Sequence, residues 1–359
     1  MPVRVLALPR YGGMGASSRL RLYQYLPVFE QAGLQVEVAP LFDDDVLSAR
    51  YRTGSYGLLA AGRCFAHRLI NLWRCKQFDL IWIEKEALPW WPQWLELAFL
   101  QRTPYVLDFD DAVFHNYDRH RLAIVRNLYG QRLDGLMAKA ALVVGGNGYL
   151  ADRARAAGAS RVEILPTVID LKRYSGTRIT KHAGDGLPRI VWIGSPTTAV
   201  YLELLREPLL ALSLRVPFVL RVIGAELNWP GVNVECVRWT EATEVVSIAE
   251  GQVGVMPLQD SAWERGKCGY KLIQYMACGL PVVASPIGVN TEIVEDGLNG
   301  FLADTAEEWV VALERLLTDA ELSIRMGREG RLRVESKYCL QVTGSRMVDL
   351  LKQSAERHV

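Results

Sequence analysis

Short apolar, β-branched runs alternate with longer amphipathic stretches along the whole chain. The runs Val3–Leu8, Gln35–Pro40, Asp79–Ile83, Tyr105–Phe109, Ala141–Val144 and Val162–Leu165 form a first series of predicted strands. A second series follows at Ile190–Ile193, Phe218–Ile223, Val232–Val237, Val253–Met256, Pro281–Ala284 and Gly300–Leu302. A sheet with one wet face alternates apolar and polar residues. These runs are apolar almost throughout, as parallel strands covered by helices on both faces must be. The polar, Gly-rich stretch Asp170–Pro188 separates the two series and reads as a linker. The predicted architecture is α/β, with two facing Rossmann-like, doubly wound domains at residues 1–170 and 189–338, a linker at 171–188 and a final helix within 339–359. Such sheets bind ligands at the carboxyl ends of their strands, so the expected site lies in a deep cleft between the domains. The final helix, Gln341–Glu356, sets Val342, Met347, Leu350 and Leu351 on one face, and chain order predicts that it returns to the first domain.

A length of 359 residues suits two domains of about 150 residues each, and half the residues are apolar, enough for two cores. Lys plus Arg number 41 against 40 Asp plus Glu, which excludes a surface built as a whole for nucleic acid. The six cysteines include no Cys-x-x-Cys pair, so no metal site and no disulfide framework is predicted. The amino end reads as a strand containing Arg4 rather than as a leader. No apolar run reaches the ~20 residues that span a bilayer. The best candidate, Ala87–Leu100, is interrupted by Pro89, Pro92 and Glu96. The expected location is the cytoplasm, with the inner face of the membrane as the place of any lipid contact.

The loop Arg10–Ser18 follows the first strand and carries Gly12, Gly13 and Gly15. Glycines there let backbone N–H groups approach a phosphate at a helix amino end, here of a predicted helix Arg19–Gln31. Gly13-x-Gly15-x-x-Ser18 has the outline of a dinucleotide fingerprint without its third glycine, and Glu37 ends the second strand where a ribose-binding acid belongs. Phosphate or substrate contact, an NAD(P) site and a plain tight turn all stay open. Walker, His-Glu-x-x-His and Gly-x-Ser-x-Gly motifs are missing, which removes the usual support for P-loop, zinc-hydrolase and serine-hydrolase chemistry. Asp108, Asp110 and Asp111 crowd the carboxyl end of the Tyr105–Phe109 strand, with His115 nearby. Acids at a strand mouth serve catalysis or an acceptor hydroxyl, or else cap a helix, here one expected from Ala112. Gly194-Ser195-Pro196-Thr197-Thr198 precedes a predicted helix Tyr201–Leu212, and its hydroxyls and amides suit an anion and an N-cap equally.

The most informative stretch is Trp263–Pro281. Leu272, Ile273, Met276 and Ala277 form the buried side of a helix that Gly279 and Pro281 stop. Lys267, Lys271 and Gln274 recur at i, i+4, i+7 on one face of that helix and its lead-in. Cations at a helix amino end oppose the macrodipole, so they require an anion, and a diphosphate fits.

From Lys271 to Ser285 the chain reads Lys-Leu-Ile-Gln-Tyr-Met-Ala-Cys-Gly-Leu-Pro-Val-Val-Ala-Ser. This resembles the Lys-Leu-x-Glu-Tyr-Met-Ala-x-Gly-x-Pro-Val-Val segment of retaining family-four glycosyltransferases of GT-B architecture. Glu292–Gly300, Gly327–Arg331, the Gly12–Gly15 loop and the Val106–Asp111 strand extend the likeness over most of the chain. Three departures stand out. The family's Glu-x7-Glu pair falls on Gly266 and Gln274, its His-Asp on Asp110-Asp111, and its Arg after the first strand of the second domain on Ser195.

The resemblance implies a hexosyltransferase-like reaction, retaining and independent of metal. A sugar passes from a nucleotide-sugar donor to a hydroxyl of a glycan or lipid-linked acceptor, in surface polysaccharide or glycolipid synthesis. The nucleotide-sugar is a substrate, and no separate cofactor is implied. Charge grows on the departing diphosphate, where lysines and helix ends can stabilise it. The expected donor-binding residues are Gly13, Ser195, Thr198, Trp239, Lys267, Gly269, Tyr270, Lys271 and Gln274, and the expected catalytic residues are Asp110, Asp111 and Lys267. Rival readings are a nucleotide-sugar epimerase, an NAD(P) oxidoreductase and a catalytically inactive sugar-nucleotide-binding subunit.

Peripheral membrane contact by the first domain is a further expectation. A helix over Gly57–Lys76 sets Arg63, His67, Asn71 and Arg74 opposite Leu58, Phe65, Leu69 and Leu72, and Trp90, Trp91 and Trp94 cluster nearby. Basic faces attract anionic lipid and indoles favour the bilayer interface. The competing reading is a solvated basic face above a buried apolar one.

Overall fold

The computed structural model describes residues 2–175 and 186–356. Strands β1 (Arg4–Leu8), β2 (Gln35–Val38), β3 (Leu80–Glu84), β4 (Tyr105–Phe109), β5 (Leu142–Gly145) and β6 (Val162–Ile164) build one parallel sheet in the order β2-β1-β3-β4-β5-β6. Strands β7 (Arg189–Ile193), β8 (Val219–Ile223), β9 (Val234–Val237), β10 (Val253–Met256), β11 (Val282–Ala284) and β12 (Gly300–Leu302) build a second in the order β12-β11-β10-β7-β8-β9. All twelve stand within two residues of where hydrophobic patterning puts them. Every residue of β3 and β4 is buried, including Glu84 and Asp108 among their otherwise apolar runs. Register sets Glu84 at the end of β3 beside Asp108 on β4.

By its contacts the chain divides into two units. The first comprises Met1–Thr167, Gly266–Cys268 and Thr343–Val359, and the second comprises Val168–Arg265 and Gly269–Val342. Of the expected linker, residues 176–185 lie outside the described residues. Its opening residues instead form a 3-10 turn, Leu171–Tyr174, capped by Asp170 and with Tyr174 buried. The helix Leu340–Glu356 is tied to the first unit from Thr343 onward. Thr343 Oγ1 lies 3.0 Å from the Tyr25 hydroxyl, Arg346 pairs with Glu163 at 2.8 Å, and Lys352 donates to the Ala32 carbonyl at 2.9 Å. Met347, Leu350 and Leu351 are buried there, while Val342, expected with them, is exposed.

Two predicted helices are interrupted by proline. In place of Arg19–Gln31, a helix Ala16–Arg21 ends, Tyr23–Tyr25 make a tighter turn, and Leu26–Gln31 restarts with Pro27 in its first turn. Proline lacks an N–H and clashes with the preceding turn, so a helix starts on it but does not run through it. Pro208 acts alike: Tyr201–Leu212 is divided into a 3-10 stretch, Ala199–Leu205, and a helix, Arg206–Ser213.

The helix Ala320–Lys337 brings Gly327 against the backbone at Gly279, so closely that a Cβ on Gly327 would overlap the Gly279 carbonyl. Gly327→Ala should therefore destabilise the protein by about 1–3 kcal/mol, because backbone rather than a mobile side chain must yield. Gly62→Ala, at an exposed position of the helix Leu58–Trp73 with open space around the added methyl, should stabilise by about 0.4–1 kcal/mol. Denaturant midpoints of the two variants should move in opposite directions.

Candidate functional site

Each sheet has one point where the strand order reverses: β1 lies between β2 and β3, and β7 lies between β8 and β10. Loops leaving adjacent strands there diverge to opposite faces and open a crevice at the carboxyl ends. In the first unit, residues 9–18 and 84–86 meet at that point. In the second, Gly194–Thr198 leave β7 at the corresponding one.

Glu84, Lys85 and Glu86 leave β3 while still buried, so each charge must be matched. Ser18 Oγ donates to Glu84 and accepts the Tyr11 N–H at 3.0 Å, and the Arg10 N–H reaches Glu84 Oε2 at 2.9 Å. Ser17 Oγ lies 2.7 Å from Glu84 Oε1 and 2.5 Å from Asp110 Oδ2. One hydroxyl hydrogen thus faces two carboxylates, and the Lys85 ammonium offsets their charge: it donates to Ser17 Oγ at 2.8 Å and pairs with Asp110 Oδ1 at 2.9 Å. Lys85 has φ +65°, a left-handed conformation that costs a residue with a Cβ on the order of 1–3 kcal/mol. Its own N–H is held by the Asp108 carbonyl at 2.8 Å. Glu86 accepts from Tyr117 at 2.8 Å and from Arg132 at 2.5 Å, and Arg132 also reaches Glu96 at 2.7 Å.

Burial pushes the Asp110 carboxyl up, but Lys85 and the Ser17 hydroxyl outweigh burial and hold it below the usual carboxylate range. Burial likewise works against the Lys85 ammonium, which Asp110 and Glu84 more than restore. Asp108 is different. It is buried in a bidentate pair with Arg21, and burial still pushes its carboxyl up.

Among the expected site residues of this unit, Asp110 joins the network and Asp111 follows it, half-buried. Neither caps a helix. The next one, His115–Asp118, starts after Phe114 with no side-chain cap. His115 bridges Asp118 at 2.7 Å and the Tyr149 hydroxyl at 2.8 Å. Gly13 has room for a side chain, whereas a Cβ on Gly12 would overlap Asp44 and one on Gly15 would overlap Tyr11. Glu37, the ribose-binding acid of a dinucleotide reading, is instead held by Arg74 at 2.7 and 3.0 Å. Lys267 belongs to this unit, its carbonyl accepting from Asn147 at 2.9 Å, and the Cys268 thiol donates to the Asp110 carbonyl at 3.1 Å. Burial pushes that thiol far up, so it is unreactive.

In the second unit, the helix Tyr270–Ala277 begins after Gly269, whose φ is +65°. That left-handed turn leaves Lys267 ahead of the helix, in its lead-in. Lys271 Nζ sits 4.3 Å over the Trp192 ring, a cation–π contact, and Gln274 is buried beside the Tyr174 hydroxyl. Tyr270 packs on the core below. Ser195 and Thr198 close a turn on each other, the Ser195 N–H reaching Thr198 Oγ1 at 3.1 Å, and the following 3-10 helix has no side-chain cap. Gly224 has φ +89°, and a Cβ there would overlap the Gly194 carbonyl and stand 3.3 Å from Trp239 Cβ. Glycine at this position thus lets the mouths of β7 and β8 close beside Trp239, whose indole donates to Glu244 at 2.7 Å. Sequence reasoning missed Glu84, Lys85 and Glu86, although three charges straight after Leu80–Ile83 were a signal. It also missed Glu264, a buried carboxylate that accepts from the Tyr201 and Ser261 hydroxyls two residues ahead of Gly266. Among the described residues no cluster is suited to hold a metal ion.

Two parallel six-stranded sheets in these strand orders define the GT-B fold, and comparison with solved structures agrees. The chain matches Anabaena HepE in complex with UDP and glucose with a TM-score of 0.69 at 15% identity, over 98% of this chain and 100% of that one. It matches sucrose-phosphate synthase from Thermosynechococcus elongatus equally well, with a TM-score of 0.69 at 15% identity and 98% of each chain covered. Residues 188–319 match the family described as glycosyl transferases group 1. A sucrose synthase from Thermosynechococcus vestitus is 26% identical over 136 residues, 36% of this chain and 16% of that protein. A D-inositol 3-phosphate glycosyltransferase from Paenarthrobacter aurescens is 31% identical over 109 residues, 30% of this chain and 24% of that protein. The matched region thus spans less than a quarter of either relative.

Replacing Lys85 with Met should raise the Asp110 carboxyl pKa, read by carboxyl-carbon NMR titration. A depressed carboxyl stabilises the fold above its unfolded pKa of about 3.9, and that contribution fades as pH falls through the lower folded value. At neutral pH the variant should lose about 3 kcal/mol, the lower end for breaking a buried pair, because Asp110 keeps some access to solvent.

Proposed function

We propose that the chain is a retaining glycosyltransferase that moves a sugar from a nucleotide-sugar to a hydroxyl of a glycan or lipid-linked acceptor, without a metal, in surface polysaccharide or glycolipid synthesis. The observation that carries this reading is the group 1 glycosyltransferase match over residues 188–319 within a GT-B fold. HepE is solved with UDP and with UDP-glucose, which supports a nucleotide-sugar donor here.

In this reading the donor-binding residues are Gly13, Ser195, Thr198, Trp239, Lys267, Gly269, Tyr270, Lys271 and Gln274. Lysines and the amino end of the Tyr270–Ala277 helix stabilise the charge that grows on the leaving diphosphate. Asp110 and Asp111 serve the acceptor. A carboxyl held low by Lys85 is a weak base near neutrality, so Asp110 orients the acceptor hydroxyl through a charge-assisted hydrogen bond. The acceptor proton then passes to the leaving phosphate on the same face of the sugar. Arg74 already engages Glu37, which speaks against the NAD(P) reading. Gly266 and Gln274, standing where the family carries carboxylates, favour one second reading, a subunit that binds sugar nucleotides without turnover.

A panel of nucleotide-sugars separates these readings. Nucleotide release only with an acceptor supports transfer, a new sugar epimer supports an epimerase, and binding without turnover supports the inactive subunit. Lys267→Ala and Lys271→Ala should each weaken donor binding about ten- to hundredfold, the loss of a charge-assisted contact of roughly 1.5–3 kcal/mol. Asp110→Asn and Asp111→Asn should lower transfer while leaving donor affinity intact, read by calorimetric titration alongside turnover.

A further inference from the structure

The helix Ala123–Tyr129 has no buried residue. A helix in water ordinarily hides one apolar face, yet here Ile124 is 64% exposed and Leu128 72%, with Leu122 exposed beside them. Trp94 is 68% exposed and lines, with Arg126 and Leu128, one groove of about 720 Å³. Trp90, also exposed, meets the His120 ring edge-on at 5.9 Å. Its φ is +68°, a conformation unfavourable for a residue with a Cβ, and its N–H is fixed by the Tyr117 hydroxyl at 3.1 Å. Indoles and helix therefore form one surface of the first unit.

The charge on this surface has one sign. Arg119, Arg121 and Arg126 are exposed among the apolar residues. The only acid from Asn116 to Gln131 is Asp118, which His115 and Arg153 engage at 2.7 and 3.2 Å. Arg126 rests on the His120 and Arg121 carbonyls at 2.7 and 3.1 Å, neutral partners that leave its charge uncompensated.

We propose that this surface docks the protein on an anionic lipid bilayer, with Ile124, Leu128 and the two indoles in the headgroup region and the arginines on lipid phosphates. Indoles settle at the bilayer interface, and basic residues beside an apolar face bind anionic leaflets. The helix Leu58–Trp73, whose basic face is the membrane face expected from sequence, buries one side through Cys64, Arg68 and Leu72, while Leu58, expected on the buried apolar side, is exposed. This inference goes beyond sugar transfer, and its test needs no turnover.

The test is co-sedimentation of the full chain with vesicles of phosphatidylcholine alone and of phosphatidylcholine mixed with phosphatidylglycerol, at low and high salt. The wild type should pellet with the mixed vesicles at low salt and stay in solution otherwise. Ile124→Glu with Leu128→Glu, and separately Arg119→Glu with Arg121→Glu, should weaken vesicle binding about tenfold or more. All four positions are exposed, so melting temperatures should hold and show that the fold is intact. Leu59→Glu with Trp73→Glu, on the other helix, should leave binding unchanged. The proposal is overturned if the wild type ignores anionic vesicles, or if only the Leu59 and Trp73 pair abolishes binding. It is equally overturned if the face instead joins two copies of the chain, shown by a dimer that Ile124→Glu with Leu128→Glu dissociates while vesicles bind nothing.

Discussion

Three consecutive charges, Glu84, Lys85 and Glu86, emerge from the fully buried strand β3 before the chain reaches solvent. Each would cost several kcal/mol if left unmatched. Meeting that demand fixes much of the first unit. Ser17 and Ser18 are drawn in from the helix after β1, Asp110 from the mouth of β4, and Arg10 from the glycine loop. Arg132 takes Glu86 and Glu96 together and donates as well to the Leu88 and Trp91 carbonyls, so one guanidinium holds the segment from 86 to 96 in place. The exposed indoles of Trp90 and Trp94 stand on that segment. Strand mouth and surface patch are thus parts of one electrostatic arrangement.

The second unit solves the corresponding problem with backbone. At the mouths of β7 and β8, glycines at 194 and 224 permit an approach that a side chain would block, and Gly269 turns the chain left-handed into the Tyr270–Ala277 helix. The geometry of the first mouth depends on which carboxylates are ionised. That of the second depends on which residues lack a Cβ.

Strand positions were legible chiefly because burial on both faces imposes an apolar run on the inner strands of a parallel sheet, while the edge strands β2, β6 and β9, exposed or half-buried, carry Glu among their apolar residues. Helix limits were less so. Pro27 and Pro208 each permit a start as readily as they enforce a stop, and apolar periodicity runs straight across them. At the candidate site, Asp110 and the Gly269–Gln274 segment stood out because acids and lysines are conspicuous at strand and helix ends. Ser17, Ser18 and Lys85 did not, since their meaning lies in register: β3 and β4 align Glu84 with Asp108, and no local pattern shows that pairing. Lys271 stood out as a cation at a helix start, whereas its place over Trp192 was not legible, since that tryptophan comes from a distant strand. Arg68, on the buried side of the Leu58–Trp73 helix, contradicts simple amphipathic reading for the same reason, its guanidinium reaching the Pro9 carbonyl at 2.6 Å.

Residues from Thr343 onward complete the first unit although the whole of the second is synthesised before them. The sheet of the first unit is finished at Ile164, yet the Tyr25 hydroxyl, the Ala32 carbonyl and the Glu163 carboxylate each take a partner from the helix that begins at Leu340. Closing so long a loop costs little more entropy than closing a moderate one, because the cost rises with the logarithm of length. The penalty falls on time, since contacts of large sequence separation form slowly. As the chain leaves the ribosome, the first unit therefore has all of its sheet available first, yet it waits with the ground around Val28 and Ala32 uncovered until its last helix arrives.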